Sequence, residues 1–157
     1  MKKLITTSVT VVTTLSLALV LGTGPAASSG CTPVNGHLVE DLVPGPGFQT
    51  AGRFWGGIQG AYEFTLTSAA PTGDPTISTI VHFVGHSTVR TRTGDLRFTE
   101  AGALDTAGVG NYADLMTITG GTGAWAGASG QIQLVGFFTG ASGHGEGDYR
   151  GEVCGGA

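Results

Sequence analysis

Three acids stand on strand faces that are otherwise apolar. Successive side chains of a β-strand point to opposite faces, so Glu40 shares a face with Leu38 and Leu42, Glu100 with Leu96 and Phe98, and Asp114 with Met116 and Ile118. Apolar surroundings disfavour the charged form of an acid and raise its pKa, which suits a carboxyl to proton transfer or to ligand binding. Glu40, Glu100 and Asp114 are therefore the candidate catalytic residues. The competing reading puts each acid at a strand end, where alternation means little. Tyr62 and Tyr149 bring hydroxyls to the apolar side, whereas Glu146, Asp148, Arg150 and Glu152 alternate against Gly147, Tyr149, Gly151 and Val153 and read as a solvated row.

Other chemistry-bearing patterns have plainer readings. His82 and His86 have the spacing of a helical zinc site, but Val81, Phe83, Val84 and Val89 make the segment a strand. At about 3.3 Å per residue the two imidazoles stand roughly 13 Å apart, too far to share an ion. No metal site is expected, and His37 and His144 read as solvated. Gly121-Thr122-Gly123-Ala124-Trp125-Ala126 matches a dinucleotide fingerprint on paper. That fingerprint needs a following helix to receive the pyrophosphate, and Gly127-Ala128-Ser129-Gly130 leads instead into another strand, so a turn is expected. Gly85-His86-Ser87-Thr88-Val89 approaches a nucleophile elbow, but Val89 replaces the last glycine within a strand, so Ser87 reads as structural.

The elements that must position these residues are strands. No segment beyond the first residues keeps a helical period for three turns, and β-branched and aromatic residues alternate with polar ones between Gly, Pro and Asp clusters. The pattern predicts strands at Val34 to Leu42, Phe54 to Thr67 with a bend at its glycines, Ile77 to Arg92, Leu96 to Ala101, Ala113 to Thr119, Gln131 to Thr139 and Gly145 to Cys154. An open sheet of that many strands leaves exposed edges that closure removes. The expected fold is all-β, a closed antiparallel barrel of about eight strands, with a β-sandwich as the alternative.

The chain has 157 residues and opens with Met1-Lys2-Lys3, an apolar run diluted by Thr and Ser, and Ala26-Ala27-Ser28. This reads as a signal peptide over residues 1–28, followed by one domain over 29–157 of about 125 residues. Export to the outside, the periplasm or the cell surface follows, with no membrane span kept after cleavage. Both lysines fall in the leader, leaving five arginines against eleven carboxylates, a formal charge of about −6. Such a chain repels phosphate backbones, so no nucleic acid partner is expected, and lysine Schiff-base chemistry is excluded. Export favours a disulfide between the two cysteines, Cys31 and Cys154. The alternative makes Ser28-Ser29-Gly30-Cys31 a lipoprotein signal and Cys31 a lipid anchor.

From Thr117 through Gly120-Gly121-Thr122-Gly123-Ala124-Trp125-Ala126-Gly127-Ala128 to Gly130 the chain resembles the small barrels grouped with allene oxide cyclase and dirigent proteins. Phe54 to Gly60, Gly94-Asp95-Leu96 and Tyr149 to Cys154 are similar to uncharacterised bacterial exported members of that group. The resemblance implies an eight-stranded barrel with an apolar cavity, often trimeric, in families that bind or cyclise small hydrophobic molecules. No catalytic residue of those families maps onto a position here. The resulting expectation is a barrel holding a small apolar molecule, lined by Phe54, Tyr62, Phe64, Phe83, Phe98, Phe138 and Tyr149. If catalytic, it performs a cofactor-free cyclisation or isomerisation in which Glu40, Glu100 or Asp114 moves a proton. The remaining alternatives are a binder without turnover and a surface protein whose barrel is packed solid.

Overall fold

The computed structural model describes residues 30–156. The leader assigned to residues 1–28 and its cleavage site lie outside them. Within this span the chain runs as eight strands: β1 (Cys31–Leu42), β2 (Gln49–Gly56), β3 (Gly60–Pro71), β4 (Ile80–Thr91), β5 (Gly94–Asp105), β6 (Asn111–Gly121), β7 (Ser129–Thr139) and β8 (His144–Cys154). Each strand pairs antiparallel with the next, and β8 pairs with β1 to close the barrel. The expected barrel is present, and the sandwich is set aside.

Closure rests on a long seam. β1 and β8 stay in register from Cys31 opposite Cys154 to Asp41 opposite His144, which leaves neither strand an open edge. The two cysteines, facing each other at the start of this seam, form a disulfide. Its sulfur is the atom that lipidation would use, so the lipid-anchor alternative for Cys31 does not coexist with this bond. Cys31, Glu152 and Cys154 also bring three ligand-type atoms together, but two of them belong to the disulfide.

Two segments differ from the sequence expectation: Ile77, expected to open a strand, ends a 3-10 turn (Pro75–Ile77) and is exposed, so that β4 starts at Ile80. Phe54 to Thr67 is two strands, β2 and β3, joined at Gly57-Ile58-Gln59. Ile58 is fully buried although it sits in the turn, so the apolar pattern runs through the reversal and hides it. The side chain plugs one end of the barrel. Tyr149 locks it there: the Ile58 N–H donates to the Tyr149 hydroxyl at 2.8 Å, and that hydroxyl donates to the Ile58 carbonyl at 3.1 Å. Tyr149 reaches this point because Gly36 opposes it on β1; a Cβ at Gly36 would lie 2.6 Å from the hydroxyl.

The interior therefore has two halves. Toward the closed end, Leu38, Phe54, Val89, Leu96, Phe98, Met116 and Ile132 fill the bore with no more than 2 % exposure each. Both described ends and the disulfide lie here, beside the β2–β3, β4–β5 and β6–β7 connections. At the opposite end the β1–β2, β3–β4, β5–β6 and β7–β8 loops surround a mouth, where Phe48, Leu66, Phe83 and Leu104 are only partly buried. The Gly123–Trp125 segment is a single 3-10 turn leading into β7, as expected, and the Trp125 indole donates to Thr91.

The disulfide spans 123 residues, and cross-linking so long a loop stabilises by about 2–5 kcal/mol. Replacing Cys31 and Cys154 together by Ser is expected to lower the unfolding free energy by that amount in guanidinium titrations while the far-ultraviolet circular dichroism remains that of a β protein.

Candidate functional site

The packed half of the bore ends at a polar layer. Diagonal cross-strand neighbours lie close enough for long side chains to touch, and the register sets four of them in a chain across β3 to β6. Phe64 pairs with Ser87, and Gly85 pairs with Glu100. Tyr62 and Glu100 each lie one diagonal from Ser87, and Asp114, opposite Gly102, lies one diagonal from Glu100. All four side chains point inward and are buried. The Ser87 hydroxyl donates to Glu100 Oε1. Tyr62 donates to the same carboxyl, at 3.2 Å to Oε1 and 3.3 Å to Oε2.

A second cluster faces the first. Glu40 on β1 is buried, and its Oε2 accepts from Thr50 of β2, again a diagonal pair. Its Oε1 lies 3.5 Å from the Tyr112 hydroxyl, which reaches over from β6. Two glycines of β8 open that path. A Cβ on Gly147 would stand 3.0 Å from the Tyr112 hydroxyl, and one on Gly145 would stand 3.2 Å from Glu40 Cγ.

Burial dominates the electrostatics. Removal from water pushes the Glu100 carboxyl well above the usual carboxylate range, and the negative charge of Asp114 beside it adds to the effect. Burial also raises Asp114 and Glu40. The hydrogen bond with Glu100 eases the cost at Asp114, and those from Thr50 and Tyr112 ease it at Glu40. Of the two neighbouring carboxyls Glu100 is pushed up the more strongly, which favours the proton on Glu100 over Asp114. Tyr62 and Tyr112 are pushed up by burial and by the acids near them, and serve as donors. The layer thus pairs a proton donor with acceptors, the equipment for moving a proton to and from a bound molecule.

Above the layer lies a cavity of about 150 Å³, walled by Phe48, Phe64, Phe83, Phe138, Leu66 and Leu104 and floored by Glu40, Glu100, Asp114 and the two tyrosines. A cavity of about 150 Å³ accommodates a molecule the size of benzene. Of the aromatic residues expected to line the interior, Tyr62, Phe64, Phe83 and Phe138 do so. Phe54, Phe98 and Tyr149 point inward but pack below the polar layer; the Phe54 and Tyr149 rings meet tilted, 4.9 Å between centres. Thr50, Ser87 and Tyr112 belong to the site and were not singled out for it by sequence. Parity carried a signal for two of them: Ser87 shares a face with Phe83 and Val89, and Tyr112 shares one with Asp114.

The histidines stand elsewhere. His82 and His86 are exposed on the outer face of β4. His37 and His144 are less isolated than expected. His37 bonds Asp148 at 3.0 Å, and His144 contacts Asp41 at 2.8 Å and Glu146 at 3.2 Å, all on the outside of the β1–β8 seam.

No family model matches this sequence, and no curated protein matches it. Among solved structures, the chain is similar to a pterocarpan synthase dirigent protein, with 16 % identity and a TM-score of 0.34 over 79 % of this chain and 84 % of that one. No residue role passes between two proteins on such a likeness. The barrel stands on its own hydrogen-bond ladders.

Burial raises the folded-state pKa of Glu100 above its unfolded value near 4.5, so the folded state binds that proton more tightly. The resulting stability is fully present below the unfolded value and is lost as pH rises through the folded one. Glu100→Gln, uncharged throughout, is expected to gain stability relative to the wild type between pH 4 and pH 8 in chemical denaturation. A difference independent of pH removes Glu100 as the titrating group.

Proposed function

We propose that this is an exported barrel that binds a small, mostly apolar molecule through the mouth and places its polar end on the carboxyl layer. The observation that supports the reading most is the cavity itself, with aromatic walls and three buried carboxyls at its floor. Binding sites for small molecules have this makeup, largely apolar with a few convergent polar groups. The turn sequences that resemble allene oxide cyclase and dirigent proteins agree with it. The disulfide agrees with an oxidising compartment, and among the described residues no helix is long and apolar enough to cross a membrane.

As an enzyme, the barrel would catalyse a cofactor-free cyclisation or isomerisation. The walls would hold a flexible substrate near its reactive conformation. Glu100 would deliver a proton from above the usual carboxylate range, and Glu40 or Asp114 would receive one. A binder without turnover would use the same walls. The packed-barrel alternative describes the closed half, where aromatics fill the bore, and leaves the cavity unused.

Native mass spectrometry of the full protein purified from the cell that exports it tests the reading. A small molecule carried by the wild type is expected to be lost in Leu104→Trp, which fills the mouth of the cavity. A folded wild type that carries nothing, and that gains no thermal stability from any single-ring compound, would sink the proposal.

Self-association belongs to the same proposal. Val84, Leu115 and Val135 are exposed on the outer faces of β4, β6 and β7, with Ala101 and Ala103 of β5 between them. This apolar strip suits contact with a second copy of the chain. Val135→Glu is expected to shift sedimentation toward the monomer, and an unchanged sedimentation coefficient argues against the strip as the interface.

A further inference from the structure

We infer that the cavity selects a small organic ammonium ion, with a ring-sized apolar body between the phenylalanines and its charged nitrogen at the carboxyl layer. The inference rests on the proposal that the cavity holds a ligand, and it names the chemistry of that ligand.

Charge balance is the starting point. Glu40, Glu100 and Asp114 all line the cavity, and its lining includes no arginine, lysine or histidine. The arginines of the described chain are exposed, on the outside of the barrel. Three buried acids without a cation are costly to ionise together, and an anionic ligand would add a fourth negative group. A cation of the right size removes the cost.

Hydrogen bonding points the same way. Asp114 is 6 % exposed, and its Oδ1 has no hydrogen-bond partner. The hydroxyls of the layer are committed elsewhere: Ser87 and Tyr62 to Glu100, Thr50 and Tyr112 to Glu40. An ammonium group brings up to three donors and no acceptor, which matches a floor with spare acceptors and no spare donors. A neutral alcohol or ketone brings lone pairs that find few donors there.

The walls complete the match. Phe64 and Phe83 meet edge to face at 6.3 Å, and Phe48 and Phe138 do so at 5.4 Å. These rings form the apolar walls against which the ring-sized body of the ligand packs. The volume of about 150 Å³ limits the enclosed part to one ring with a short arm.

Benzylamine and its neutral isostere benzyl alcohol separate the possibilities in calorimetric titrations of the full, disulfide-bonded protein near neutral pH. The ammonium form is expected to bind at least about tenfold more tightly. Its heat should vary with the ionisation enthalpy of the buffer, because the arriving charge draws protons off the carboxyls. Glu40, Glu100 and Asp114 are the groups that release them, while Tyr62 and Tyr112, which also face the site, stay protonated. Asp114→Asn should abolish the preference for benzylamine over benzyl alcohol. If that variant does not fold, the buffer dependence in the wild type decides. Equal or tighter binding of benzyl alcohol overturns the inference and leaves the ligand-binding proposal standing. Failure of both compounds to bind overturns the two together.

Discussion

The antiparallel ladder between β1 and β8 turns a meander of strands into a wall with a fixed inside. Eight strands enclose a bore just wide enough for side chains to fill, so each inward position competes for the same space. Glycines on inward faces settle that competition. Gly36 yields to the Tyr149 hydroxyl, and Gly145 and Gly147 yield to Glu40 and Tyr112. A bore with a large side chain at every inward position would have no room for the polar layer, and one with fewer aromatics would not exclude water from it.

Water exclusion gives the three acids their character. Asp148, on the outside of the seam, stays open to water beside His37. In Glu100, set among Tyr62, Ser87 and Asp114 above a plug of Phe54, Phe98 and Met116, burial disfavours the charged form. The plug keeps solvent from reaching the acids from below. Tyr149 holds Ile58 under that plug, so a phenol at the closed end helps to keep the polar layer of the other half dry.

Alternation along strands was enough to find the acids. Leu38 and Glu40, Phe98 and Glu100, and Asp114 and Met116 do share the inward face. Alternation assigns a side and says nothing of height along the barrel, which is why Phe54, Phe98 and Tyr149 share a face with the cavity residues yet pack beneath them. Height follows from register, and register requires the strand ends. The buried Ile58 masked one end, so β2 was begun at Phe54 and Thr50 was left out of it. An irregularity between Leu66 and Ser68 breaks the alternation again and brings Ala69 to the cavity. Tyr112, one residue before the expected start of its strand, was lost to the same uncertainty about ends.

The up-and-down order has a consequence for how the molecule meets a surface. Residues 30 and 156 leave the barrel at the closed end, next to the disulfide, and the mouth opens at the far end. Anything joined to either end, a tag, a resin or a fused neighbour, attaches to the underside of the vessel. Immobilised in that way, the protein stands upright with its opening toward the solvent.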